Sequence, residues 1–139
     1  MAIEYEGIPI PEIGSIVTNE IALEWCDRFG YTEISKRIKD TPYFFKNWEF
    51  DGASMLPDNL FAKIFKIPRL TLWAFKHDLK YAYGRLHDKD AKLKADTELK
   101  NDIINDNGNV FIAKAIFIAV DVFGDGIIKT KFSWGFARF

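Results

Sequence analysis

Cysteine and histidine are the scarcest reactive residues in this chain of 139. The one cysteine, Cys26, cannot form an intrachain disulfide. That excludes a disulfide-stapled domain and points to folding in a reducing compartment. Two histidines, His77 and His87, make no zinc-ligand spacing even with Cys26 added. An excess of basic charge is missing too: 19 Lys and Arg face 20 Asp and Glu, for a net charge of −1 and a pI near 6.1. No basic block offers a seat for a polyanion, so nucleic acid is not an expected partner. The longest apolar run, VFIAKAIFIAV, is 11 residues with a lysine inside it, whereas a membrane span needs about 20. The opening MAIEYEGIPIPEIG has neither a basic n-region nor an apolar h-region. No signal peptide is expected from it, and cytoplasmic synthesis is the expectation. Repeats and low-complexity tracts are absent.

What the chain does have is apolar and aromatic content. Hydrophobic residues make up 48% of it, including 13 Phe, 5 Tyr and 4 Trp. A chain of this length fits one domain and can bury a core without disulfides or a structural metal. Ile8-Pro9-Ile10-Pro11 reads as extended, because a residue before proline is pushed out of the helical region. Asn19 reads as the cap of a helix to about Phe29, stopped by Gly30. Thr32 reads as the cap of a short helix to Lys39, with Pro42 beyond it. YFFKNWEF, residues 43–50, reads as a short aromatic strand, and Asp51-Gly52 as a turn.

Ile67-Pro68-Arg69 opens a helix to Tyr83 with Gly84 as its stop. Asp88 caps a long helix from Lys89 to Asn105, and Asn109 caps another from Val110 to Phe123, ended by Gly124. In the tail, Ile128, Thr130, Phe132, Trp134 and Phe136 alternate with polar residues, as in a strand. The expected fold class is mainly α with minor β. Its parts are an N-terminal helical region (1–47), a core (48–124) and a C-terminal strand or arm (125–139).

Two segments carry candidate chemistry. In AFKHDLKYAYG, His77 shares a helix face with Leu70, Trp73, Ala74 and Tyr81, inside an apolar stripe. Asp78 points about 100° away around the helix, and no cation lies at helical spacing from it. In LKADTEL, Asp96 interrupts the stripe of Leu93, Leu99 and Ile103. Two antiparallel helices with a short connection pack such stripes together, so Asp96 is expected to meet His77. A carboxylate on one imidazole nitrogen fixes the tautomer and leaves the other nitrogen free to take a proton from water. We expect Nδ1 to be the nitrogen that meets Asp96. The competing readings are a core histidine bonded to a carbonyl and, for Asp96, an exposed pair with Lys92 or Lys100. His87 falls in a turn, and Cys26 lies in a helix stripe as a small apolar residue would. An HD-type metal phosphohydrolase needs a further histidine upstream of His77-Asp78, and there is none.

His77-Asp78-x-x-Tyr81 followed by Ala95-Asp96 resembles the H-D-x-x-Y…A-D signature of parvovirus-type phospholipases A2. The order of motifs is also similar to that of a family of small phage and prophage proteins of unknown function. Its D-[GF]-A-S-x-P segment stands here as Asp51-Gly52-Ala53-Ser54, with Pro57 two residues late. Its A-V-x-x-F-G stands as Ala119-Val120-Asp121-Val122-Phe123-Gly124. The resemblance spans roughly residues 48 to 124. It implies a pair of antiparallel helices with His77 as general base, Asp96 orienting it, Tyr81 fixing Asp96, and Asp78 binding calcium. These enzymes also draw calcium ligands from a Gly-rich loop such as Y-x-G-x-G. This chain lacks that loop, and Asp51 and Gly52 of FDGAS are the available substitutes.

Two functional expectations follow. One is a calcium-assisted esterase acting at a phospholipid or membrane surface, with Trp73, Phe75, Phe132, Trp134 and Phe136 available to lipid or to the core. The other is a non-catalytic phage accessory protein associated with the virion. There the pair serves the fold and the tail adds to the sheet of another virion protein.

Overall fold

In the computed structural model, residues 3–50, 69–85, 87–107, 109–123 and 134–139 are described, with backbone alone for residue 107 and residues 119–123. The chain opens with a hairpin, β1 (Glu4–Tyr5) and β2 (Ile8–Pro9), in register Glu4↔Pro9. Its two-residue turn puts Glu6 at φ 52° and Gly7 at φ 80°, the left-handed pair that matches strand twist. A second pair joins β3 (Ile16–Val17) to β4 (Trp48–Glu49), antiparallel, with Val17 opposite Trp48. Between them lie α1 (Asn19–Phe29) and α2 (Thr32–Asp40). Helices α3 (Leu70–Ala82), α4 (Lys89–Asn107) and α5 (Val110–Phe123) follow. The fold is mainly α with two small antiparallel hairpins.

Local chemistry accounts for the boundaries. Thr18, one residue before Asn19, caps α1: its hydroxyl accepts from Ile21 N, and Asn19 is already helical. Gly30 ends α1 at φ 77°, a conformation that penalises a side chain. Thr32 likewise lies inside α2, after Tyr31. Asp88 Oδ1 accepts from Ala91 N at 3.1 Å and Asn109 Oδ1 from Ile112 N at 3.0 Å, so both expected caps form.

Residues 43–50 depart from the strand reading. Pro42–Phe44 form a 3-10 turn, Phe45 makes a single bridge to Arg138, and only Trp48–Glu49 is strand. Proline sets the φ of a tight turn, and the ladder partner is a distant segment that local pattern cannot supply. Asp51, Gly52, Ser54, Pro57 and the alternating residues 128–132 lie outside the described residues.

The core gathers around α3. Phe75 sits edge-on to Trp25 at 5.8 Å and to Phe50 at 5.2 Å. Trp48 Nε1 donates to the Tyr83 hydroxyl at 3.0 Å and its ring meets Phe136 at 5.2 Å. Residues 134–139 close this end of the core as turns. Gly135 N and Ala137 N donate to the carbonyls of Tyr81 and Ala82, at 2.6 and 3.0 Å. Lys46 N donates to Ala137 O at 2.7 Å. Two of the carbonyls at the C-terminal end of α3, where intrahelical donors run out, thus accept from the tail, and Tyr81 O also accepts from Gly84 N at 3.3 Å. Phe75 and Phe136 are buried and Trp73 and Trp134 half-buried, so Phe75 and Phe136 belong to the core and not to a lipid-facing surface.

Candidate functional site

Helices α3 and α4 run antiparallel, and paired side chains mark their seam from end to end. Trp73 Nε1 donates to Asp106 Oδ2 at 3.0 Å. Lys76 lies 3.4 Å from Glu98 and 3.6 Å from Asp102. Lys80 Nζ donates to Glu98, which also accepts from the hydroxyl of Tyr31, the residue before α2, at 2.7 Å. Within this charged flank lies a buried cluster centred on Asp96.

Asp96 is fully buried and receives three donors. His77 Nε2 lies 2.8 Å from Oδ1. The Tyr81 hydroxyl donates to the same oxygen at 2.6 Å. Lys92 Nζ donates to Oδ2 at 3.0 Å. The spacing of α3 explains the convergence: His77 and Tyr81 are one turn apart, their rings tilted together with centroids 4.2 Å apart. Lys92 precedes Asp96 by one turn of α4. Trp134 from the tail packs edge-on to Tyr81 at 5.1 Å, and its Nε1 donates to Arg85 O at 2.6 Å.

Burial would raise the Asp96 carboxyl, but the hydrogen bond and charge of His77, the Tyr81 hydroxyl and the Lys92 ammonium outweigh it and hold the carboxyl below its usual range. Asp96 is therefore an ionised, acceptor-only group. The nitrogen facing it must carry the proton, so neutral His77 is the Nε2–H tautomer and Nδ1 bears the lone pair. The nitrogen that meets Asp96 is Nε2, where Nδ1 was expected; among the described residues no hydrogen bond to Nδ1 is formed. The imidazole is sealed, with its side chain 3% exposed.

The Asp96–Lys92 pair expected on an exposed face is instead buried, with Lys92 8% exposed. Helical spacing flagged this pair but says nothing of its burial. Asp78 is half-buried and not without a partner, although no cation lies at helical spacing from it. Among the described residues, no group of three or more His, Cys, Asp or Glu side chains could hold a metal ion. Asp51 and Gly52, the other residues expected at calcium, lie outside the described residues. His87 is exposed in its turn at φ 67°. Cys26 is buried, which pushes its thiol up to about 12, so it is no nucleophile. Among the described residues no helix is long and apolar enough to cross a membrane.

Comparison of the chain with protein-family models, with curated proteins and with solved structures finds no match.

Proposed function

We propose that this protein is an ester hydrolase of the phospholipase A2 type, with His77 as its general base. The observation that carries the reading is the sharing of Asp96 Oδ1 by His77 Nε2 and the Tyr81 hydroxyl. It leaves His77 Nδ1 as the basic atom of a fixed ring. In the reaction, opening of the cover over the ring admits a water and the ester, and Nδ1 takes a proton from that water as it attacks the ester carbonyl carbon. It returns the proton to the departing alkoxide when the tetrahedral intermediate collapses. Asp96 stabilises the imidazolium between those steps, and Tyr81 keeps the Asp96 oxygen in line. The motif order His77-Asp78-x-x-Tyr81…Ala95-Asp96 supports a glycerophospholipid as the ester and a lipid surface as the partner.

Removing a positioned base costs about 10²- to 10⁴-fold in rate. His77→Ala should therefore lower hydrolysis of dispersed phospholipid by at least 100-fold, read by fatty-acid release. Activity that survives the substitution sinks the assignment.

Calcium belongs to the same proposal through Asp78. A calcium ion takes about six to eight oxygens, so the described residues do not fit it by themselves, and Asp51 and Gly52 would have to complete the shell. A ligand that binds only the native state raises the melting temperature. Millimolar calcium should do so, and an unchanged melting temperature removes calcium from the reading.

A second reading is favoured by the burial of the cluster. Lys92 neutralises Asp96, and His77 is closed off on every side but a sliver. In this reading the protein is a phage structural or accessory protein of the virion, and the cluster pins α3 to α4. It predicts no ester hydrolysis by the unaltered protein, with or without calcium.

A further inference from the structure

A cleft of about 330 Å³ lies where α2, the end of α3, the start of α4 and the tail meet. It shares no residue with the Asp96 cluster. Cations dominate its wall: Arg37 from α2, Lys80 from α3, Arg85 after α3 and Lys94 from α4. Lys80 is committed to Glu98. The acids on the wall are Glu33 and Asp88, and Asp88 is engaged in capping α4. Tyr31 and Trp134 are its aromatic walls.

Three features of this wall suit an anion. Arg37 donates through Nη1 to Tyr83 O, yet its Nε is buried without a hydrogen-bond partner among the described residues. A buried donor left unpaired is costly. Burial, and then the neighbouring guanidinium of Arg85, both weigh against the charge on Arg37; Glu33 and Asp88 only partly offset them. The first turn of α2 also lines the cleft and has no side-chain cap, so its dipole adds to the same field. The volume is at the low end for ligand pockets, which limits the occupant to a small group.

We propose that this cleft binds a phosphate monoester group, held by Arg37, Arg85 and Lys94. Planar guanidinium forks match phosphate oxygens in pairs. The group can arrive on a small soluble molecule or as a lipid headgroup, and the chemistry of recognition is shared.

The test pairs calorimetric titration of inorganic phosphate and glycerol phosphate with co-sedimentation on phosphatidylcholine vesicles with and without phosphatidic acid. Salt near 0.15 M screens loose surface attraction. Arg85 and Lys94 are exposed, so the double variant Arg85→Gln, Lys94→Gln should keep its far-ultraviolet circular dichroism. It should bind at least tenfold more weakly, and Arg85→Lys with Lys94→Arg should restore binding. Binding of the soluble phosphates that is lost in the double variant supports the site with a soluble ligand. Binding confined to phosphatidic acid vesicles and lost in the same variant supports it with a headgroup. No binding in either arm, or binding that the double variant retains, overturns the proposal.

Discussion

Asp96 is the one carboxylate in the described structure that is fully buried among three side-chain donors, and taking its charge away strands the Lys92 ammonium. Asp96→Asn keeps the volume but leaves the Lys92 ammonium facing an amide at 8% exposure. Breaking a buried pair by removing one partner costs about 3–5 kcal/mol. Urea unfolding of Asp96→Asn should show a loss of that size; a loss below about 1 kcal/mol would mean that Lys92 reaches water on its own. At this scale the sequence was partly legible. His77, Tyr81 and Asp96 stand at helical spacings on two stripes, and two stripes joined by a short turn have few ways to pack. Which imidazole nitrogen faces Asp96 depends on a side-chain rotation that no spacing records. The burial of Lys92 was hidden for a similar reason, because Lys92 and Asp96 are four apart whether or not other chain segments cover them.

At the scale of elements, the end of α3 depends on the tail. A Cβ at Gly84 would overlap the indole of Trp134. Gly84→Ala must therefore push Trp134 off Tyr81 or displace the turn after the helix, and overpacking of this kind costs about 1–3 kcal/mol. Thermal melting should show the loss. A wild-type melting temperature would mean that the Trp134 contact contributes little. Elements governed by local chemistry were legible: Gly30 ending α1, Asp88 starting α4 and Asn109 starting α5 each act within a few residues. Thr18 and Asn19 are both good caps, and the choice between them was off by one. Residues 43–50 were misread because aromatic content suits a strand, whereas Phe45 and Lys46 pair with Arg138 and Ala137 and Trp48–Glu49 with Ile16–Val17, distant segments that local reading cannot bring near.

At the scale of the whole molecule, acid stability follows from the buried carboxylates. The Asp96 and Glu98 carboxyls are held below their usual range; in both, burial works the other way and is outweighed, by His77, Tyr81 and Lys92 for Asp96 and by Lys80, Tyr31 and Lys76 for Glu98. A depressed carboxyl stabilises the fold fully above its unfolded value, about 3.9 for Asp and 4.3 for Glu. That stability is lost as pH falls through the lower folded value. Asp102 acts in the opposite sense: burial raises its carboxyl, so its contribution is present at low pH and is lost as pH rises through the raised value. Two depressed carboxyls, Asp96 and Glu98, stand against this one raised carboxyl. Stability from urea midpoints should therefore fall as pH drops below about 4, and Asp96→Asn should flatten that fall. A midpoint that rises between pH 5 and 3 would contradict it.

The bridge between Phe45 and Arg138 joins segments about ninety residues apart. Closing a loop of that length carries an entropy that the helical hairpin of α3 and α4 never meets. The hairpin, with its partners nineteen and fifteen residues apart at His77–Asp96 and Tyr81–Asp96, is the natural early event, and docking of the tail the late one. Reversed, that order makes undocking of Trp134 from Tyr81 one way for solvent to approach the Asp96 cluster while the two helices stay paired.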